Sequence, residues 1–363
     1  MTAARSVAAG LALAVATAVA SASADLSTEA VPAKHPMIRY EGRYAVDAGG
    51  AVRLGFPGVT AYLRFRGQTL ILRARASEEG VGLDVSIDGA APNYLRLHKG
   101  EDDYELMPSG ASSQHNVSVL RRNESWQGTC DLVAFDPGVG GAWLPPPVLP
   151  ARKLMFIGDS VTGGEMTTYE PGRDMHDRAN SNAGRSFGMI LARRLGAQCH
   201  LVSYGGRGVV RDWQGSREVR NAPQFYQLAL PDEPAVPWEH ARYVPDAIGI
   251  QLGTNDFSPG IPEQEEFVAA YVAFIAQVRR DAPDALVLVM DSPIVTDDPV
   301  RGPRRTTLHA YLEQVVARVA SPKVILVPLP TYPGVPGNGH PTGADHVAMA
   351  NEIEPVLRKA LGW

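Results

Sequence analysis

The chain has 363 residues, of which 45% are hydrophobic and 20% charged, with a formal net charge of −5. That length accommodates about two domains with sizeable cores, and the composition is ordinary for a globular protein. A mildly acidic balance gives no electrostatic reason to expect nucleic acid or an anionic membrane as partner.

In chain order, the first segment stands apart. Arg5 precedes an Ala/Leu/Val run from Val7 to Ala20, and the stretch closes on Ala22-Ser23-Ala24, the small-x-small pattern at which signal peptidase cuts. The expectation is a signal peptide over residues 1–24 and hence a secreted or periplasmic protein, free of the membrane once the leader is removed. An uncleaved anchor is the alternative, but the run is Ala-rich and weakly apolar for a span.

From about Ile38 to Phe135 the pattern alternates with period two. Leu63 and Phe65 alternate with Arg64 and Arg66, Gly67-Gln68 turns the chain into Leu70 and Leu72, and Leu83, Val85 and Ile87 lead to the turn pair Asp88-Gly89. Val117 and Val119 begin a further strand and Leu132 to Phe135 another. Short strands without intervening helices predict an antiparallel sandwich or jelly roll over 37–136. The Pro/Gly-rich segment 137–150, containing Pro145-Pro146-Pro147, reads as a stiff linker.

Beyond it, over 151–363, apolar strands alternate with helical stripes. Strands are expected at Leu154–Ile157, Leu201–Tyr204, Ala247–Leu252, Ala285–Met290 and Val324–Val327. Helical faces fall at Phe187/Ile190/Leu191/Leu195, Phe267/Tyr271/Phe274/Ile275/Val278 and Leu308/Leu312/Val315/Val316/Val319, with a last helix from about Gly343. This is the grammar of an α/β domain with a doubly wound parallel sheet, whose functional residues gather at the carboxyl ends of the strands. Cys130 and Cys199 sit in strand-like runs and read as free buried thiols, with one inter-domain bridge as the alternative. Neither belongs to a nucleophile or metal motif, and no Cys/His cluster has zinc spacing, so no metal or cofactor is called for.

Gly158-Asp159-Ser160 follows the first of these strands. Alone the tripeptide is as consistent with a helix cap as with a nucleophile. Three further blocks end later strands: Gly205-Gly206-Arg207-Gly208, Gly253-Thr254-Asn255-Asp256 and His340-Pro341. Together they offer a nucleophile, oxyanion donors and a base.

These four blocks, in this order, resemble the SGNH (GDSL-type) hydrolase superfamily from about Lys153 to the end. The resemblance implies Ser160 as nucleophile and His340 as general base, with Gly206, Asn255 and the Ser160 amide as oxyanion-hole donors; Gly205 is a neighbouring alternative to Gly206. The jelly-roll-like front half, Gly206-Arg207-Gly208-Val209-Val210, Ser186-Phe187-Gly188 and His340-Pro341-Thr342 with His346 downstream make the chain most similar to carbohydrate esterase family 2. That implies removal of acetyl groups from polysaccharides such as xylan or mannan. Separately from the resemblance, a monomer is expected.

One departure stands out. Most SGNH enzymes carry an Asp three residues before the His; here that position is Gly337. An Asp there would fix the imidazole tautomer and stabilise its protonated form. Some members of family 2 resemble this chain in lacking that Asp, and the resemblance implies a Ser-His dyad with a backbone carbonyl holding His340; a strong activity loss on mutating a nearby acid, such as Asp297 or Asp298, would count against it. Thr342-Gly343-Ala344-Asp345 fits a capping box, so Asp345 is assigned to the last helix rather than to His340. His346, His176, His200, His240 and His309 are read as structural or exposed.

The loops Thr162–Ala183 and Val210–Val244 are long for such a fold and carry Tyr169, Trp213, Tyr226 and Trp238. Trp213 and Trp238, with Arg207 beside the oxyanion glycine, are the candidates for substrate contact; packing the loops down, or in Arg207's case bracing its own, is the other reading. A lipase or thioesterase, and a carbohydrate-binding protein with a vestigial hydrolase, are the competing functions.

Overall fold

The computed structural model describes residues 29–107, 113–232 and 235–363, so the expected signal peptide lies outside the described residues. The front half is an antiparallel sandwich of two six-stranded sheets. One sheet orders Tyr44–Val46, Val52–Leu54, Cys130–Asp136, Leu70–Ala76 and Gly100–Met107. The other orders Ala142–Leu144, Thr60–Gly67, Ser113–Arg121, Gly82–Ile87 and Asn93–Arg96, with Ile38–Glu41 also on Thr60–Gly67. Alternation sets the faces as expected: Ala61, Leu63 and Phe65 point inward, as do Leu70, Leu72 and Ala74, while Arg66, Arg73 and Arg75 face solvent.

The linker expected over 137–150 needs correction. Ala142–Leu144 is a strand of the sandwich, paired with Thr60–Gly67. Trp143 holds it there, fully buried with its ring 6.3 Å from that of Phe65. At the other end the sandwich begins earlier than residue 37, because Val31–Pro32 pairs with Cys130–Asp136.

The second half is a five-stranded, wholly parallel sheet ordered Ala197–Ser203, Arg152–Gly158, Ala247–Gln251, Leu286–Met290, Val324–Val327. Its central strand Ala247–Gln251 is buried throughout, as a strand covered on both faces must be. Helices Gln264–Asp281 and Arg304–Val319 cover one face, and Phe187–Leu195 and Gly343–Leu361 the other. The winding reverses about Arg152–Gly158, which opens a crevice at the carboxyl ends of the first three strands in sequence.

The halves share a core. One apolar cluster runs from Leu63, Phe65 and Trp143 of the sandwich to Phe257, Phe267 and Tyr271 on one face of the parallel sheet. Polar ties join them as well. Glu41 accepts the Cys199 backbone N–H across the boundary. Arg43, almost fully buried, lies 5.1 Å from the centre of the Tyr226 ring and 5.2 Å from that of Trp238. Cys130 and Cys199 are both buried and free.

Candidate active site

Asp159 caps the short helix Ser160–Gly163, its carboxylate accepting the Val161 N–H at 3.0 Å. The cap presents Ser160 on a tight turn at the end of the first strand. The Ser160 hydroxyl donates to His340 Nε2 at 2.8 Å. On the far side of the ring, His340 Nδ1 donates to the side-chain oxygen of Asn338 at 2.6 Å. That Asn338 atom also accepts the His340 backbone N–H at 3.1 Å, so it is the oxygen of the amide and not the nitrogen. With its proton on Nδ1, the imidazole leaves Nε2 free to accept from Ser160, the tautomer a general base requires. The group holding His340 is thus the Asn338 side chain, not the backbone carbonyl expected, because the turn Gly337-Asn338-Gly339 folds the amide back onto the ring it precedes.

Asp297 and Asp298 are engaged elsewhere. Asp297 accepts from the Thr306 N–H and hydroxyl, and Asp298 from the Val300 and Arg301 N–H groups. Asp345 closes the capping box with Thr342, accepting the Thr342 N–H at 2.8 Å. His346 is fully buried, accepting the Phe187 N–H at 3.1 Å. Burial, aided by the nearby His340, lowers its pKa to about 3. His176 is exposed, His200 stacks on Tyr243, His240 packs on Tyr226 and His309 pairs with Asp291 at 2.9 Å, and among the described residues none of them bonds to Ser160 or His340.

The choice between the two glycines follows from their amides. Gly205 N–H is taken by the Glu124 carboxyl at 3.1 Å, whereas neither Gly206 nor Ser160 N–H meets a protein acceptor among the described residues. Gly206 has φ +80°, a conformation that favours glycine. Asn255 donates to the Arg207 carbonyl at 2.9 Å and lies only loosely, at 3.4 Å, against Asp159. Both bonds leave from the one amide nitrogen, and the longer of them is the one an incoming oxyanion would have to displace. Asp256, buried next to it, accepts the N–H groups of Val209, Val210 and Arg211 and so pins the loop that carries Gly206.

The aromatic candidates separate. Trp213 is exposed and lies against Gly206. Trp238 does not join the site. It is buried near the amino ends of the strands, bordering a cavity of about 650 Å³ with Tyr44, Lys153 and Arg242, and is held there by the guanidinium groups of Arg43 and Arg242. Tyr226 is buried under Arg43, and Tyr169 is half-buried. Arg207 lies 4.9 Å from the Tyr204 ring centre and 3.6 Å from Asp212, which suits bracing its own loop better than contact with substrate.

Two residues of the sandwich reach this site without any signal in the linear pattern. Glu124 is fully buried, on Gly205 on one side and against Gly163 on the other, where a Cβ at Gly163 would collide with its carboxyl. Burial, together with the charges of Glu165 and Asp159, raises its pKa well above the carboxylate range. Trp126, half-exposed, sets its indole nitrogen against Gly205. Trp126 and Trp213 therefore flank the glycine pair from opposite halves of the molecule.

Comparison with known proteins agrees with this architecture. The model described as Carbohydrate esterase 2 N-terminal matches residues 40–147, and that of the GDSL-like Lipase/Acylhydrolase family matches 156–351. An acetylxylan esterase/glucomannan deacetylase of Cellvibrio japonicus is 34% identical over 338 residues, covering 93% of this chain and 92% of that protein. The chain belongs to carbohydrate esterase family 2. A family 2 esterase structure from Cellvibrio japonicus superposes with a TM-score of 0.88 at 34% identity, covering 93% of this chain and 99% of that one. Another, from Clostridium thermocellum in complex with cellohexaose, gives 0.81 at 27% identity, covering 90% and 99%. The family 2 chain is a carbohydrate esterase, and its two matched regions meet at the crevice that holds Ser160.

Proposed function

We propose that this protein is a secreted acetylesterase that removes O-acetyl groups from polysaccharides such as xylan or glucomannan through an acetyl-enzyme on Ser160. The observation that carries the reading is the line from Ser160 Oγ to His340 Nε2 at 2.8 Å and from Nδ1 to Asn338 at 2.6 Å, beside two backbone N–H groups that meet no protein acceptor among the described residues. Ser160 Oγ attacks the acetyl carbonyl while His340 takes its proton. The oxyanion forms opposite the Ser160 and Gly206 N–H groups and the Asn255 amide, donors already oriented before charge develops. His340 returns the proton to the departing sugar oxygen, then activates the water that releases acetate.

Trp126 and Trp213 bound the crevice as flat faces suited to the apolar side of a pyranose ring. The substrate class is supported by the names of the Cellvibrio japonicus relatives and by the cellohexaose held by a structural relative. Export is supported by Arg5, the Val7–Ala20 run and Ala22-Ser23-Ala24. The test compares acetate release from acetylated xylan, acetylated glucomannan and a long-chain ester. Preference for the acetylated polysaccharides is expected; preference for the long-chain ester would overturn the carbohydrate reading in favour of a lipase.

A further inference from the structure

In a Ser-His-Asp site, the carboxylate on Nδ1 stabilises the imidazolium that forms as Ser attacks. Here Nδ1 faces a neutral amide, and among the described residues no carboxylate is bonded to that nitrogen. A carboxylate approaches from the other side. Glu165 Oε2 lies 3.6 Å from His340 Nε2, with side-chain exposures of 20% for Glu165 and 19% for His340.

The position of Glu165 is built rather than incidental. Its backbone N–H donates to the Ser160 carbonyl at 3.0 Å, so the residue is fixed to the nucleophile's own turn just past the left-handed Gly164. Met166, which follows, has φ +64°, an uncommon conformation for a non-glycine residue, and is buried. Among the described residues, the Glu165 carboxyl makes no hydrogen bond to a protein donor.

Among the described residues, the polar groups around His340 come from several places. Asn338 comes from its own loop, Ser160 and Glu165 from the nucleophile turn, Asp159 and Glu124 stand behind that turn, and His346 rises from the last helix. Burial drives Glu124 and Asp159 toward their neutral forms, Asp159 to a pKa of about 7, and keeps His346 uncharged. Glu165 has the access to water that these lack.

We propose that Glu165 is the electrostatic partner of His340, stabilising its imidazolium from the Nε2 side in place of the missing acid on Nδ1. As the Ser160 proton moves to Nε2, the new positive charge forms within 3.6 Å of the Glu165 carboxylate. When Nε2 passes that proton to the sugar oxygen, the charge disappears and Glu165 is unchanged. It acts through His340 and takes no part in bond making. The inference rests on the proposed Ser160–His340 chemistry but not on the polysaccharide.

The experiment measures kcat and KM of wild type, Glu165→Gln and Glu165→Asp on an aryl acetate, which has no sugar, and on acetylated xylan. Glu165→Gln should lower kcat about tenfold on both substrates with little change in KM. It should also move the acid limb of the pH profile to lower pH, and Glu165→Asp should restore part of the rate. In an Asn338→Asp background, where an acid again faces Nδ1, the Glu165→Gln loss should shrink. A loss confined to KM on xylan would make Glu165 a sugar ligand and overturn the proposal, as would an equal loss in both backgrounds. Failure of the wild type on xylan alone would instead count against the polysaccharide reading, because the aryl acetate arm still reports on Glu165. Matching thermal transitions for the variants separate these effects from misfolding.

Discussion

Asn338 supplies orientation without charge. Its oxygen fixes the His340 tautomer at 2.6 Å, which is half of what an acid does in a triad. Asn338→Ala should therefore lower kcat by about 10- to 100-fold with KM nearly constant, whereas Asn338→Asp should retain activity at or above wild type; steady-state kinetics on an aryl acetate checks both. Trp126 and Trp213 are proposed to contact the sugar instead. Replacing either by Ala should raise KM for acetylated xylan about tenfold, the loss of about 1.4 kcal/mol of ring contact, and leave the aryl acetate rate unchanged. At this scale Ser160 and His340 were legible in sequence because each sits in a short block at a strand end. Asn338 carried no such signal, because the triad acid belongs one residue earlier, where Gly337 stands, and an Asn reaches the imidazole only through the fold of this turn. Trp126 and Glu124 had no such signal: they lie in a turn of the sandwich, and only folding brings them to Gly205.

The elements around the site are held by buried polar groups that cross between halves. Arg122, on the chain just after the sandwich strand Ser113–Arg121, pairs with Asp84 at 2.9 Å, both side chains 9% exposed. It also donates to the carbonyls of Ala179 and Ser181, while Asn182 donates to Asp84 at 2.8 Å. The loop Thr162–Ala183, long enough to read as a functional segment, is thus fastened to the sandwich. Asp84→Ala would leave Arg122 buried without its counter-charge and should cost about 3 kcal/mol, measured by urea unfolding. The parallel sheet was predictable because its strands are continuously apolar, and the sandwich because its strands alternate. The strand Ala142–Leu144 was not. Three residues among prolines and glycines carry no period, and what places them is the fit of Trp143 into a core built by distant strands.

Across the whole molecule, the two halves form one body with a shared core and a site that draws on both. Ionisation ties that body to pH. In the folded state His346 stays neutral down to about pH 3, whereas the unfolded chain protonates it near the ordinary histidine value of about 6.5. Protons are then bound preferentially by the unfolded state, so the His346 contribution is complete above pH 6.5 and is lost as pH falls toward 3. Burial acts oppositely on Glu41, raised to about 6, and Asp159, raised to about 7, whose contributions are lost as pH rises through those values. His346→Gln should flatten the fall of Tm between pH 6.5 and 4 relative to wild type, as thermal melts across that range would show.

In the proposed reaction an acetyl group is carried by Ser160. Rapid quenching of the enzyme with an acetylated substrate, followed by peptide mass spectrometry, tests it most directly. One acetyl group should appear on the peptide that contains Ser160 within the first turnover, and Ser160→Ala should show neither that adduct nor acetate release above background. Acetate released at full rate by Ser160→Ala, or an acetyl group found only elsewhere on the chain, would contradict the account.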